Sequence, residues 1–450
     1  MANPSAIPLI FVPEDGLKTG PLSTDQRAWA EANGFTGQQG RLLAVPGAAG
    51  GIGAWLFGIG TPEGRPVFVA GLAGAGLPEG DYQLQGDYGD PTLASIAFRL
   101  GAYRFETYRK AARPAPRLIL PDSADAGEVK RQVTAATLAR DLINMPANDL
   151  GPDALEAQAL ELAERHGMQV EVTRGEDLLK ANFPLIHAVG RASAQAPRLI
   201  DLRWGRETDP KVTLVGKGVT FDTGGLDIKS PAGMLTMKKD MGGAANVLGL
   251  AHAIIDAGLP VRLRVLLPVV ENAISGNAFR PSDVLRSRAG ITIEIGNTDA
   301  EGRLILADAL ALADEESPDL LLDMATLTGA ARVALGPELP ALFSSSDSVA
   351  AAIVAAGLSA EDPLWPMPLW TGYDGLLASR VADVNNAAAG GHAGSVTAAL
   401  FLRRFVNNAR AWVHLDIFGW APDARPGRPV GGTDQGIRAI YGLLRQRYRT

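Results

Sequence analysis

From Asn148 onward, helical segments alternate with short, continuous apolar runs, and this pattern limits the fold more than any other feature of the chain. Helical GPDALEAQALELAERHG is followed by MQVEV, and PRLIDLRW, KVTLVG, RLRVLLPV, ITIEIG, PDLLLDMA and AWVHLDI read as further strands. Several are apolar throughout, as strands covered on both faces must be. NVLGLAHAIIDAG and RLILADALALADEE supply helical connectors, so the segment is expected to form a layered α/β domain around a central mixed sheet. Ligands of such sheets gather at the carboxyl ends of strands. There KVTLVG runs into Lys217 and ITIEIG leads to Asp299.

A chain of 450 residues exceeds what one hydrophobic core usually supports, so two domains are expected. Residues 1–120 read as a small N-terminal α/β domain, 121–147 as a linker helix and 148–450 as the larger C-terminal α/β domain. In the first, Val67–Gly80 reads as a buried strand leaving into a glycine loop, and Ala94–Phe105 has helical spacing. Gly71, Gly74, Gly76 and Gly80 miss the GxGxxG phosphate-cradle spacing, so tight turns are the expectation. Proline-punctuated Pro114–Gly127 bounds the domain, and a helix follows from about Glu128 to Asn144.

Composition removes several function classes. A net charge of −7 argues against a general nucleic-acid binder, whose affinity would come from phosphate neutralisation. Arg445, Arg447 and Arg449 could form a local basic patch but read more simply as a solvated last helical turn. With no cysteine there is no disulfide, thiolate metal site or cysteine nucleophile. The opening MANPSAIPLIFVPED lacks the pattern of a secretory signal, and Gly, Pro and charges interrupt every apolar run, so a cytoplasmic protein without a membrane span is expected.

Charge is concentrated where strands and turns meet. GKGVTFDTGGLDIKS, KKDMGGAAN and NTDAEGRL place Lys217, Asp222, Lys229, Asp240, Asp299, Glu301 and Arg303 on short turns. Four carboxylates converging on one place repel, and divalent cations between them are the usual remedy. A two-metal hydrolytic site is therefore expected. Asp299 and Glu301 alone could be a helix N-cap with an acidic first turn, but that leaves the other charges in glycine-rich turns unexplained. His166, His187, His252, His392 and His414 form no HExxH pair and read as surface or packing residues. No GxSxG elbow, P-loop or kinase signature is present. Carboxylates and lysines must carry the chemistry, and oxygen ligands do not choose among Zn, Mn and Mg.

These segments resemble the leucyl (cytosol) aminopeptidases, whose NTDAEGRL signature is matched from Asn297 to Leu304. The resemblance runs from about residue 135 to 440, beginning at ARDLINMPANDLGPDAL and continuing through DMATLTGA to WVHLDI. It implies a metalloexopeptidase that removes N-terminal residues from peptides, with two divalent ions per subunit, Zn or Mn and also Mg or Co. Lys217, Asp222, Asp240 and Glu301 would hold the tighter ion, and Asp222, Asp299 and Glu301 the more exchangeable one. Lys229 would stabilise an oxyanion, and Arg303 would hold bicarbonate as general base. Met237, Thr326, Gly329, Phe418 and Ala421 fall at positions lining the N-terminal side-chain pocket. Relatives usually carry a small residue after HLDI, where this chain has Phe418, which implies a narrower or reshaped pocket. Thr223 in FDTGG, where Ser is commoner, keeps the hydroxyl. The resemblance also implies a homohexamer and a macro-like N-terminal domain. That domain keeps a nucleotide- or nucleic-acid-binding role open as an alternative, and a two-metal phosphoesterase is a further rival that would want extra phosphate-clamping cations.

Overall fold

A computed structural model of the chain describes residues 6–448 apart from 19, 48 and 49. The chain divides into two units, one comprising residues through Thr137 with Ala421–Val430, the other Leu138–Trp420 with the chain from Gly431. The division falls inside the long helix Ala126–Asn144.

The first unit is built on a five-stranded sheet of β1 (Ile7–Val12), β2 (Leu42–Pro46), β3 (Ile52–Gly58), β4 (Asp81–Gly86) and β5 (Arg117–Ile119), in the order β2-β3-β1-β4-β5. β1 pairs in parallel with β3 and β4, and β2 antiparallel with β3. The helix expected near Ala94 spans Pro91–Gly101, started by Asp90, whose carboxylate accepts from Leu93 N.

The expected strand at Val67–Gly80 is instead a turn leading into the helix Ala70–Gly76. Its glycines are neither tight turns nor a phosphate cradle. They let this helix touch the backbone of Pro91–Gly101: a Cβ on Gly74 would lie 2.1 Å from Phe98 O, and one on Gly101 would lie 2.0 Å from Gly71 O. A run of small apolar residues signals burial equally in strand and helix, and here close helix packing decides the outcome.

The second unit carries a nine-stranded mixed sheet. Its members are β6 (Gln169–Arg174), β7 (Arg198–Trp204), β8 (Lys211–Gly216), β9 (Gly218–Asp222), β10 (Arg262–Asn272), β13 (Leu320–Ala325), β14 (Ala341–Ser344), β15 (Trp365–Pro366) and β17 (Trp412–Asp416). The order is β15-β14-β17-β13-β8-β10-β7-β6, with β9 also paired to β10. A separate three-stranded sheet joins β11 (Val284–Arg286), β12 (Thr292–Glu294) and β16 (Val384–Asn385). The apolar ITIEIG run therefore contributes β12 to this small sheet and not to the central one. Periodicity identifies a strand but not its partners.

In the central sheet β10, β8, β13 and β17 run parallel, so their carboxyl ends emerge together. The helices Gly242–Asp256 and Gly302–Asp314 are buried along nearly their whole lengths. Arg445 and Arg447 form the last turn of the helix Ile437–Arg447, while Arg449 lies outside the described residues. Among the described residues no helix is long and apolar enough to cross a membrane.

The glycine contact is testable. Gly74→Ala would normally help a helix by about 1 kcal/mol, but its methyl must displace the Phe98 carbonyl, and overpacking costs roughly 1–3 kcal/mol. The first denaturation transition is expected to move to lower urea. An unchanged or higher midpoint would mean that the helices do not depend on this contact.

Candidate metal centre

The parallel strand ends bring the site together. Lys217 links β8 to β9, Asp222 ends β9, and Asn272 opposite it ends β10. Lys229 lies in the loop after β9, and Asp240 in the short 3-10 turn Met237–Met241 that leads into the helix Gly242–Asp256. Asp299 and Glu301 follow β12 and precede the helix Gly302–Asp314. Glycine makes the approach possible. A Cβ on Gly302 would sit 2.5 Å from Lys217 Cε, and one on Gly243 would sit 2.1 Å from Met324 O.

All seven charged residues line one cavity of about 460 Å³, along with Met237, Thr326, Gly329 and Phe418. Ala421 does not line it; it begins the segment grouped with the first unit. One carboxylate oxygen each from Asp222, Asp299 and Glu301 can be chosen so that all three lie within 4.8 Å of one another. Lys217 Nζ stands 2.7 Å from Asp240 Oδ2 and 3.0 Å from Glu301 Oε1. Lys229 Nζ stands 2.8 Å from Asp222 Oδ2 and also contacts Asp299.

The helix-cap reading of the acids fails here. Glu301 occupies the N-cap position, but its side chain makes no capping hydrogen bond, and the first turn of that helix has no acid. Its carboxylate is spent on Lys217 instead. Asp240 Oδ2 is buried beside the ammonium without the alignment of a hydrogen bond. A cation centred among these oxygens would use that unsatisfied lone pair.

Burial and mutual repulsion shape the titration. Burial, then the Asp222 charge, pushes the Glu301 carboxyl up to about 8. The same two causes bring Asp299 to about 6. Burial alone would raise Asp222, but Lys229 and Lys217 hold it below the usual carboxylate range. Burial alone would lower Lys217, yet Asp240, Glu301 and Asp222 override it and raise its affinity for a proton. Lys229 is raised for the same kind of reason, chiefly by Asp222. Burial lowers Lys239 to about 8 and Arg303 to about 10.

Supporting residues fix these groups, and of them the sequence singled out only Thr326, as a pocket position. Asn272 Nδ2 and Gly224 N both donate to Asp222 Oδ1, at 2.8 and 2.9 Å. Thr326 Oγ1 donates to Asp240 Oδ1 at 2.7 Å, and Lys217 Nζ donates to Thr326 O. Asp416 holds the loop after β13 by accepting from Leu327 N, Thr328 N and Thr328 Oγ1. Asn272 and Asp416 are polar residues closing apolar strands, a signal readable in VVEN and HLDI. Arg303 makes no ion pair within its helix; Nη1 donates to Asn386 O at 2.7 Å, and Nε is buried without a partner.

The histidines do not enter the cavity lining. His414 is fully buried, bonded to Asp323 at 2.5 Å and stacked near Trp412, while His166 contacts His252.

Fold and site together define an α/β protein whose clustered carboxylates have the geometry to hold a metal ion. Residues 137–441 match the model of the cytosol aminopeptidase family, catalytic domain, and residues 7–121 that of the M17 aminopeptidase N-terminal domain. A probable cytosol aminopeptidase of Chlorobium limicola is 42% identical over 338 residues, 74% of this chain and 67% of the relative. One of Xanthomonas campestris is 48% identical over 301 residues, 65% of this chain and 60% of the relative. The crystal structure of cytosol aminopeptidase from Coxiella burnetii is 46% identical with a TM-score of 0.94, covering 100% of this chain and 99% of that one. The bottromycin maturation enzyme BotP in complex with Mn is 32% identical with a TM-score of 0.90, covering 99% and 100%. The chain belongs to the cytosol aminopeptidase family, whose members are metal-dependent aminopeptidases. These matches give no support to the nucleotide- or nucleic-acid-binding alternative.

A raised Glu301 and a raised Lys217 are both largely protonated at pH 7 in the metal-free protein. Ligands must shed those protons to bind metal, so metal loading is expected to release about two protons at pH 7. Release from Glu301 should fade above pH 8, and metal affinity should weaken steadily as the pH falls. Calorimetry in buffers of different ionisation enthalpy measures the count. Loading without proton release would remove Lys217 and Glu301 from the ligand set.

Proposed function

We propose that the protein removes N-terminal residues from peptides with a free α-amine at a centre of two divalent cations. The observation that carries this is the convergence of Lys217, Asp222, Asp240, Asp299 and Glu301 in one buried cavity of a cytosol aminopeptidase fold. Lys217, Asp222, Asp240 and Glu301 would hold one ion, and Asp222, Asp299 and Glu301 the second, so Asp222 and Glu301 would bridge. Zn or Mn suits this donor set, with Mg or Co as substitutes. When bound, the cations supply Lewis acidity toward water, the scissile carbonyl and the substrate amine.

The chain's own residues do the rest. As a ligand, Lys217 must be a neutral amine, and the positive charge of adjacent cations favours that form. Freed from Asp222 and Asp299 by their commitment to metal, Lys229 Nζ can donate to the oxygen on which negative charge develops. Arg303, with Nε unpartnered, offers a planar fork suited to a bicarbonate ion, whose chemistry is that of a general base. Asn272, Gly224 and Thr326 hold the carboxylates in place. Phe418 narrows the side-chain pocket beside Met237, Thr326 and Gly329. The family resemblance supports a homohexamer, and the relatives' name supports a cytosolic location.

Aminoacyl anilides assayed with Zn, Mn, Mg and Co test the reading, and absence of hydrolysis with every metal would refute it. Asp222→Ala and Glu301→Ala are each expected to lose both ions together with activity; two ions retained per folded chain would sink the bridging assignment. Lys229→Ala and Arg303→Ala are expected to keep their metal while kcat falls roughly ten-fold or more. Near-normal turnover in either variant would contradict that residue's role. Phe418→Ala is expected to raise kcat/KM for Leu relative to Ala substrates, and an unchanged ratio would make the ring mere packing.

A further inference from the structure

Besides Arg303, two cations of the cavity lining, Lys239 and Arg332, make no ion pair among the described residues. Lys239, on the turn that carries Asp240, is only 5% exposed, yet its ammonium makes neither an ion pair nor a side-chain hydrogen bond among the described residues. Asp240 is adjacent in sequence, but its carboxylate is held by Lys217 and Thr326. Arg332, on the helix Gly329–Leu335, is equally without a carboxylate. Both instead stand over one ring: Lys239 Nζ lies 4.8 Å and Arg332 Cζ 4.7 Å from the centre of Phe418. Neighbouring Lys238 is different, since its ammonium donates to Asn144 O and lies over Trp420.

A ring beside two cations softens their cost but does not satisfy their donors. An aromatic face attracts a cation by its quadrupole and accepts no strong hydrogen bond. The buried Lys239 ammonium therefore remains short of an anion, and burying unpaired charge is costly; the exposed Arg332 guanidinium beside the same ring adds a second positive charge. The other carboxylates of the cavity are occupied by Lys217 and Lys229 in this structure, and by metal in the proposed function. An anion carried by the substrate would neutralise Lys239 and lie beside Arg332.

We propose that Lys239 and Arg332 make the N-terminal side-chain pocket select an acidic residue, aspartate or glutamate, whose carboxylate they bind beside Phe418. This rests on the aminopeptidase reading and refines its substrate class. The flat, slender carboxylate suits a pocket narrowed by Phe418 better than a branched apolar side chain does. Ammonium and guanidinium together provide a point charge and a fork, the pairing that best retains a carboxylate.

Anilides of Glu, Gln and Leu test the proposal on the metal-loaded protein, because they carry no carboxylate other than the Glu side chain. Gln matches Glu in shape and lacks its charge, so the Glu to Gln ratio of kcat/KM isolates the electrostatic contact. The ratio is expected to be about ten or more, the scale of one charge-assisted contact. It should fall toward one in Lys239→Met and in Arg332→Met, the latter on an exposed position that tolerates change if the former disturbs Asp240. Gln cleaved as well as Glu, or a ratio unmoved in a folded variant, overturns the acidic preference. Hydrolysis of Leu anilide in that case leaves the aminopeptidase reading standing. Failure of all three anilides would overturn both.

Discussion

Four carboxylates share one largely buried cavity and pair with only two of its lysines, and the surrounding structure is arranged around that imbalance. Like charges brought this close raise each other's proton affinity, which Glu301 and Asp299 both show. Lys217 offsets part of the charge beside Asp240 and Glu301, and Lys229 beside Asp222 and Asp299. Backbone and amide donors hold Asp222, and a threonine holds Asp240. Such a cluster is stable only when protonated or when cations supply the missing charge. The fold serves this by ending four parallel strands on one side and by replacing side chains with glycine where Lys217 and the following helix must pass.

Much of the site was legible in the sequence because its residues lie in three short segments with distinctive charge. Lys217, Asp222, Lys229, Asp240, Asp299, Glu301 and Arg303 all reach one cavity. The supporting groups carried a weaker signal, one polar residue closing an apolar strand. Asn272 and Asp416 sit at the ends of apolar strands far away in sequence, and only sheet order brings them near. Nothing in KKDMGGAAN marks Lys239 as the lysine that the turn buries, while Lys238 donates to Asn144 O. Ala421 followed the other pocket positions in sequence but does not line the cavity.

The architecture was readable to the same degree. Continuous apolar runs at KVTLVG, RLRVLLPV, PDLLLDMA and AWVHLDI marked the buried parallel strands, because both faces of each are covered. ITIEIG has the same composition yet pairs in a small sheet of its own, a choice made by tertiary contact. The apolar character of Val67–Gly80 suggests a buried strand leaving into a glycine loop. Its small residues instead serve helix-to-helix contact, a reason that composition alone does not reveal.

The central claim is that this cluster is built for two divalent cations sharing Asp222 and Glu301. Anomalous diffraction from Mn-loaded crystals, recorded on both sides of the metal edge, tests it most directly. The account predicts two anomalous peaks in the cavity, one beside Lys217 and Asp240, the other beside Asp299, with Asp222 and Glu301 reaching both. A single peak at saturating metal, or peaks elsewhere in the chain, would contradict it.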